Sequence, residues 1–367
     1  MRVTDFERRV RAGLDELDRA GLRRTLRAPS GIDLSSNDYL GLAAHPLLKQ
    51  RMAAAVCDHG CGSTGSRLLR GERECFSRIE RRFADFKGTE RSLYFSSGYL
   101  ANLAVLTAFP ESGDVIFSDE RNHASLIDGA RLSRARRVIF PHNDVAALGP
   151  LMREETSLGQ KFIVAESLFS VDGDFAPLTD YSALCRETGA LLIVDEAHAV
   201  GIYGEHGQGL AGHGPAPLVS INTAGKALGV AGAFVAGPDW AIEYLAQRAR
   251  PFIFSTAPPP AVAGALEASL ELIEGEPNRR ERLLALASYA RQRLGVAEGS
   301  HIIPLVLGSN QRAVAVADAL QREGFDVRAI RPPTVPEGTA RLRISLNVNL
   351  SEGVLDRFVD ALCAASS

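Results

Sequence analysis

A succession of short apolar runs separated by helix-length amphipathic segments limits this chain to few folds. The runs cover residues 93–95, 115–117, 138–140, 162–165, 191–194, 219–221 and 233–236. All but 219–221, which carries Ser220, are apolar throughout rather than alternating, which is the pattern of a strand covered on both faces. Such strands in turn with helices predict an α/β domain built on a mostly parallel seven-stranded sheet. Ligands of these sheets gather beyond the carboxyl ends of the strands. The residues found there are small, polar or ionisable. Ser96-Ser97-Gly98-Tyr99 follows the first run, and Ser118-Asp119 with Asn122-His123 follows the second. Pro141-His142-Asn143-Asp144 comes next, then Glu166-Ser167 with Ser170. Asp195-Glu196-Ala197-His198 and Asn222-Thr223-Ala224-Gly225-Lys226 complete the series. This clustering predicts a site at that edge.

The flanks read differently. Thr4 and Glu7 have capping-box spacing, and Phe6, Val10, Leu14 and Leu17 recur at helical intervals behind them. Helices are expected over 46–58 and 72–86. Between them, 60–65 spells GxGxxG. A dinucleotide fingerprint needs a strand before it and a helix after it. The segment here follows a helix and is read as a loop. After the prolines at 258–260 come a long helical region over 261–294, an extended run at 302–307, a helix over 309–323 and further extended segments at 328–330 and 340–346. These predict a smaller α+β domain. The expected division is an N-terminal helix and lid at 1–45, a large domain at 46–262 and a C-terminal domain at 263–367.

Bulk properties narrow the partners. Net charge is −3, so no basic surface invites nucleic acid. Asp195-Glu196-Ala197-His198 spells a helicase box, but no phosphate-binding GxxxxGK[ST] precedes it. Five scattered cysteines form neither a disulfide frame nor a zinc motif, so no metal is expected. The first residues lack a signal-peptide core and no run is long enough to span a bilayer, which points to a soluble cytoplasmic protein.

The chemistry centres on Lys226 and Asp195. Lys226 has small neighbours that leave room for a bulky group, and desolvation favours the neutral amine needed for imine formation. An acid at a strand end suits a protonated ring nitrogen, which is how pyridoxal phosphate is held opposite its lysine. His198 could reach the same ring's oxygen, and His123 could lie over its face. Gly98 and Tyr99 open a helix whose first amides favour a phosphate. Thr223 could add a hydroxyl, as could Ser255 and Thr256 from a second subunit.

Longer stretches carry a resemblance. SSNDYLGL at 35–42, SSGYLAN at 96–102, NHASLIDGAR at 122–131 and ESLFSVDGDFAPL at 166–178 resemble the α-oxoamine synthase family of the fold type I pyridoxal-phosphate superfamily. So do DEAHAVGIYGEHGQG at 195–209, TAGKALGVAGAFVAG at 223–237 and IRPPTVPEGTARLRISL at 330–346. The similarity runs essentially end to end. Phe76 and Leu350 stand where this family usually has histidine, and the segment at 24–35 is short for it.

The resemblance implies pyridoxal 5'-phosphate in a Schiff base with Lys226, which also serves as acid and base. It implies Asp195 on the pyridine nitrogen, His198 on the ring oxygen and His123 stacked on the ring. Gly98, Tyr99, Ser170 and Thr223 would touch the cofactor, with Ser255 and Thr256 reaching the neighbouring subunit of a homodimer. Arg343 would take the amino-acid carboxylate, and Arg23, Asn37 and Thr334 would contact substrate. The implied reaction is decarboxylative condensation of L-alanine with a pimeloyl thioester of CoA or a carrier protein. The alternatives are a sibling using glycine and a shorter acyl-CoA, or a non-catalytic subunit of this fold.

Overall fold

The computed structural model describes residues 4–212 and 217–366. The seven apolar runs become the strands β2 (Arg91–Phe95), β3 (Val115–Asp119), β4 (Arg136–Phe140), β5 (Lys161–Glu166), β6 (Leu191–Asp195), β7 (Val219–Thr223) and β8 (Ala233–Gly237). They form one sheet in the order β2-β8-β7-β6-β5-β3-β4. Neighbours from β7 through β4 run parallel, and β8 lies antiparallel to both β7 and β2. Six strands therefore point the same way, and their carboxyl ends share one edge.

The unbroken apolar runs follow from two-sided burial. Consecutive side chains on a strand face opposite ways. Ile116, Phe162, Val164 and Ile193 enter one core cluster, whereas Val115, Phe117, Ile163, Leu192 and Val194 enter another. Most strand positions are therefore buried, and most of the exposed ones lie on the edge strand β4, at Arg136, Arg137 and Ile139. Burying a side chain of this size contributes roughly 1.5–3 kcal/mol.

Contacts divide the chain into a larger unit of 37–170 with 174–282, and a smaller unit of 1–36, 171–173 and 283–367. Where the sequence suggested a boundary near 262, the contact division falls at 282/283. The helix Ala261–Gly275 packs along the helices Pro46–His59 and Glu74–Lys87 of the larger unit. The single long helix expected over 261–294 is two, Ala261–Gly275 and Pro277–Leu294. Proline suits the first turn of a new helix because its missing N–H is not needed there.

In the smaller unit, Thr4 caps the helix Asp5–Arg19 by accepting the Glu7 amide at 3.1 Å. β9 (Ile302–Gly308), β11 (Arg328–Ile330) and β12 (Ala340–Ser345) form an antiparallel sheet in the order β11-β12-β9. β1 (Ile32–Asp33) pairs in parallel with β10 (Phe325–Asp326). Phe76 and Leu350, the two departures from the resembled family, are both buried apolar residues. Phe76 stacks on Tyr94 at 6.3 Å between centroids. No helix among the described residues is long and apolar enough to cross a membrane.

Candidate active site

Four strand exits in the larger unit build one polar network. Lys226 follows β7, and its Nζ lies 2.6 Å from Nε2 of His198, which follows β6. His198 is buried, and its Nδ1 lies 2.7 Å from the Tyr39 hydroxyl. Asp195 ends β6 and is 5% exposed. Its Oδ1 accepts the Ala197 amide at 2.8 Å and its Oδ2 accepts Nδ2 of Asn102 at 2.7 Å. The same Asn102 group donates to Ser125 Oγ at 2.8 Å, and that hydroxyl lies 2.7 Å from Nδ1 of His123. A continuous line thus runs from Asp195 through Asn102 and Ser125 to His123.

Glu166 ends β5 beside Asp195 in the paired register. Its two oxygens accept the amides of His123 at 2.7 Å and Ser170 at 3.1 Å, fixing both turns. Burial first, and the Asp195 charge second, push the Glu166 carboxyl up to about 8. His123 is exposed by surface area, but the protein crowding its ring and the Lys226 cation lower its pKa against the pull of Asp195. The Ser125 amide points at Nδ1 from 3.3 Å, so a neutral His123 carries its proton on Nε2.

At the first exit, Ser97 caps the helix Gly98–Ala108 and accepts the Leu100 amide. Gly98 is forced by contact: a Cβ there would stand 2.6 Å from Thr223 Oγ1. The first amides of a helix lack intrahelical partners and favour an anion. The Tyr99 hydroxyl bonds to Asp128. Ser255 and Thr256 line a cleft with Arg67 and Ser96, and Thr256 bridges to Ser66. Asn37 accepts from the Tyr39 hydroxyl at 2.8 Å.

The smaller unit holds Arg23, Thr334 and Arg343. Arg23 pairs with Asp18 at 2.5 Å. Thr334 is exposed, with its amide bonded to Arg331 O at 3.1 Å. Arg343 donates to Ser345 Oγ at 2.6 Å; burial first, and the Arg343 charge second, drive His301 down to about 3.

The chain has four lysines, Lys49, Lys87, Lys161 and Lys226. Lys87 is locked to the buried Glu196, whose other oxygen accepts the Leu210 and Ala211 amides. That gives the second letter of the helicase-like box a structural task. Lys161 bonds to the carbonyls of Met152 and Glu155, and Lys49 is exposed away from the sheet edge on the helix Pro46–His59. Lys226 alone of the four stands at a strand exit.

The profile of the aminotransferase class I and II family matches residues 29–362. The chain belongs to this family. Within it, the chain is similar to an 8-amino-7-oxononanoate synthase of Bordetella petrii, 46% identical over 382 residues, covering 96% of each chain. An enzyme of the same name from Burkholderia vietnamiensis is 47% identical over 385 residues, covering 97% of this chain and 95% of the relative. Among solved structures, serine palmitoyltransferase from S. paucimobilis with a bound PLP–myriocin aldimine superposes with a TM-score of 0.90 at 27% identity, covering 97% of this chain and 96% of that one. 8-Amino-7-oxononanoate synthase from Francisella tularensis superposes at 0.79 with 29% identity, covering 91% and 97%.

The sequence alone does not single out Tyr39 and Asn102, and it gives Ser125 and Glu166, at the β3 and β5 exits, no task. Asn102 had a signal, being one amide in the otherwise apolar helix Gly98–Ala108. Tyr39 had none, because its partner His198 comes from a distant segment.

Proposed function

We propose that this chain joins L-alanine to a pimeloyl thioester with loss of CO2, yielding 8-amino-7-oxononanoate, a step of biotin biosynthesis, with pyridoxal 5'-phosphate as cofactor. It would work as a homodimer in the cytoplasm. The observation that carries the chemistry is the contact of Lys226 with His198 at the strand exit next to buried Asp195. The substrates follow from the 46–47% identity to two synthases over nearly the whole chain.

The residues fit the cofactor. Gly98 and Thr223 leave a cradle that a Cβ would fill, at a helix start suited to phosphate. Asp195 is a buried carboxylate held by two donors, suited to a protonated ring nitrogen. When bound, the cofactor supplies an electron sink next to the amino acid's Cα.

The chain's own groups do the rest. Lys226 would carry the cofactor aldehyde and, once displaced by the substrate amine, would take the Cα proton on Nζ. His198 would bond the ring oxygen and, with Nε2 2.6 Å from that amine, would offer its proton a way out. Asp195 would hold the proton on the ring nitrogen, so that the ring can take up charge from Cα. His123, held by Glu166 and Ser125, would lie over the ring and limit its tilt. Gly98, Tyr99, Thr223 and Ser170 would hold the cofactor, with Ser255 and Thr256 serving a neighbouring subunit. Arg343 would take the alanine carboxylate; Arg23, Asn37 and Thr334 would meet the acyl donor.

A second reading, a sibling that condenses serine with a long acyl chain, draws on the higher superposition with serine palmitoyltransferase. Thiol release and product mass distinguish the two. Alanine, glycine and serine are each paired with pimeloyl-, acetyl- and palmitoyl-CoA and with a pimeloyl carrier protein. Alanine with a pimeloyl donor should dominate kcat/KM. Turnover confined to serine with palmitoyl-CoA, or to glycine with acetyl-CoA, would overturn the proposal.

A further inference from the structure

Tyr39 sits behind His198, on the side away from Lys226, and is fully buried. Its ring lies 6.0 Å from the imidazole at an angle of 53°. A phenol has one proton to give. Here the hydroxyl donates to Asn37 Oδ1 at 2.8 Å. At the 2.7 Å contact with His198 Nδ1, the phenol oxygen must therefore accept, and Nδ1 must carry hydrogen. The opposite nitrogen, Nε2, is left facing Lys226 Nζ at 2.6 Å.

The turn that presents Tyr39 is fixed on both sides. Asp38 accepts the Leu42 amide at 2.8 Å, and the Gly41 amide bonds to Asp38 O at 3.0 Å. The turn also interlocks with the loop carrying Lys226. Gly229 lies at φ +68°, and a Cβ on it would stand 2.6 Å from the Ala43 amide nitrogen. Behind His198, a Cβ on Gly201 would stand 2.9 Å from that of Ala227. Tyr39, His198 and Lys226 are thus held in mutual register by backbone contact.

We propose that Tyr39, aimed by Asn37, is a positioning residue that locks His198 with its hydrogen on Nδ1, so that Nε2 is the atom through which His198 exchanges protons with Lys226. The lock holds in both charge states, since the phenol oxygen accepts from Nδ1 whether the imidazole is neutral or cationic. His198 then acts from one end, and every change in its protonation occurs where the amine can use it. The inference rests on the proposed reaction for its catalytic meaning. The tautomer itself is a property of the protein chain alone.

The test is nitrogen-15 NMR of full-length protein labelled at histidine, without and with pyridoxal phosphate, with the His198 signals identified by their loss in His198→Asn. The expected wild-type spectrum has a protonated Nδ1 and an unprotonated or exchanging Nε2. In Tyr39→Phe the buried Nδ1 hydrogen loses its acceptor, and the signal should move toward the opposite tautomer. In the loaded protein the same variant should lose about tenfold or more in kcat, the order expected for a hydrogen bond to a charged group, with a displaced acid limb and little change in KM. A wild-type Nε2–H tautomer, or a Tyr39→Phe spectrum identical to wild type, would overturn the lock. The expected spectra in a chain that fails to condense alanine with a pimeloyl donor would support the lock and count against the reaction.

Discussion

His123 follows β3 and His142 follows β4, its neighbour in the sheet, yet the protein treats the two imidazoles in opposite ways. His142 lies between two carboxylates, with Nδ1 2.9 Å from Asp119 and Nε2 2.7 Å from Asp174. Burial alone would lower its pKa, but the bonds and charges of Asp119 and Asp174 overcome that and raise it to about 9. It is a cation at neutral pH. At His123 the loss of solvent prevails: with the smaller help of the Lys226 cation it outweighs the pull of Asp195, and the pKa falls. It stays neutral. Two carboxylates in direct contact overcome burial at His142, and the charge of one carboxylate does not at His123.

The two states match two tasks. The His142 cluster is architecture. Asp119 also accepts the Arg121 and Asn143 amides, each at 2.8 Å. Asp174 belongs to a turn closed by the Phe169 amide on its carbonyl, so the cation ties that turn, on which Ser170 sits, to the β3 and β4 exits. The His123 network holds its members neutral or paired around an amine that must react. One end of the sheet edge is built to stay put, and the other to move protons.

The comparison breaks most visibly at Lys226. Lys226→Ala should cut turnover by on the order of 10⁴-fold, as removing a reacting group does, while urea unfolding barely shifts. Retained turnover would end the division of tasks. His142→Ala should behave in reverse. It leaves Asp119 buried beside no cation, at a cost of about 3–5 kcal/mol read from the urea midpoint, with turnover of the folded fraction falling far less than in Lys226→Ala. The smallest effect is in pH. The stabilisation from His142 is complete below its ordinary value of 6.5 and is lost as pH rises through about 9. Urea midpoints should fall across that window and flatten in Asp119→Asn.

How legible this was depended on the range of the interactions. The strands were readable because two-sided burial imprints itself on consecutive residues such as Phe162, Ile163 and Val164. The polar exits were readable because strand direction sends them all to one edge. The break between Gly275 and Pro277 was hidden by a helical composition on both sides, with Pro277 as its one mark. Asn102 meets Asp195 from 93 positions away and Tyr39 meets His198 from 159. Pairings at that separation depend on the folded sheet order, which no local pattern encodes. The charge of His142 was equally out of reach, since Asp174 comes from a turn beyond β5.

The central claim is that Lys226, at the β7 exit, is the amine of the reaction centre. Borohydride reduction of the pyridoxal-phosphate-loaded protein, followed by peptide mass spectrometry, tests it directly. The added pyridoxyl mass should appear on the peptide containing Lys226 and be absent from those containing Lys49, Lys87 and Lys161. Label on any of those three instead, or on none of the four, would contradict the account.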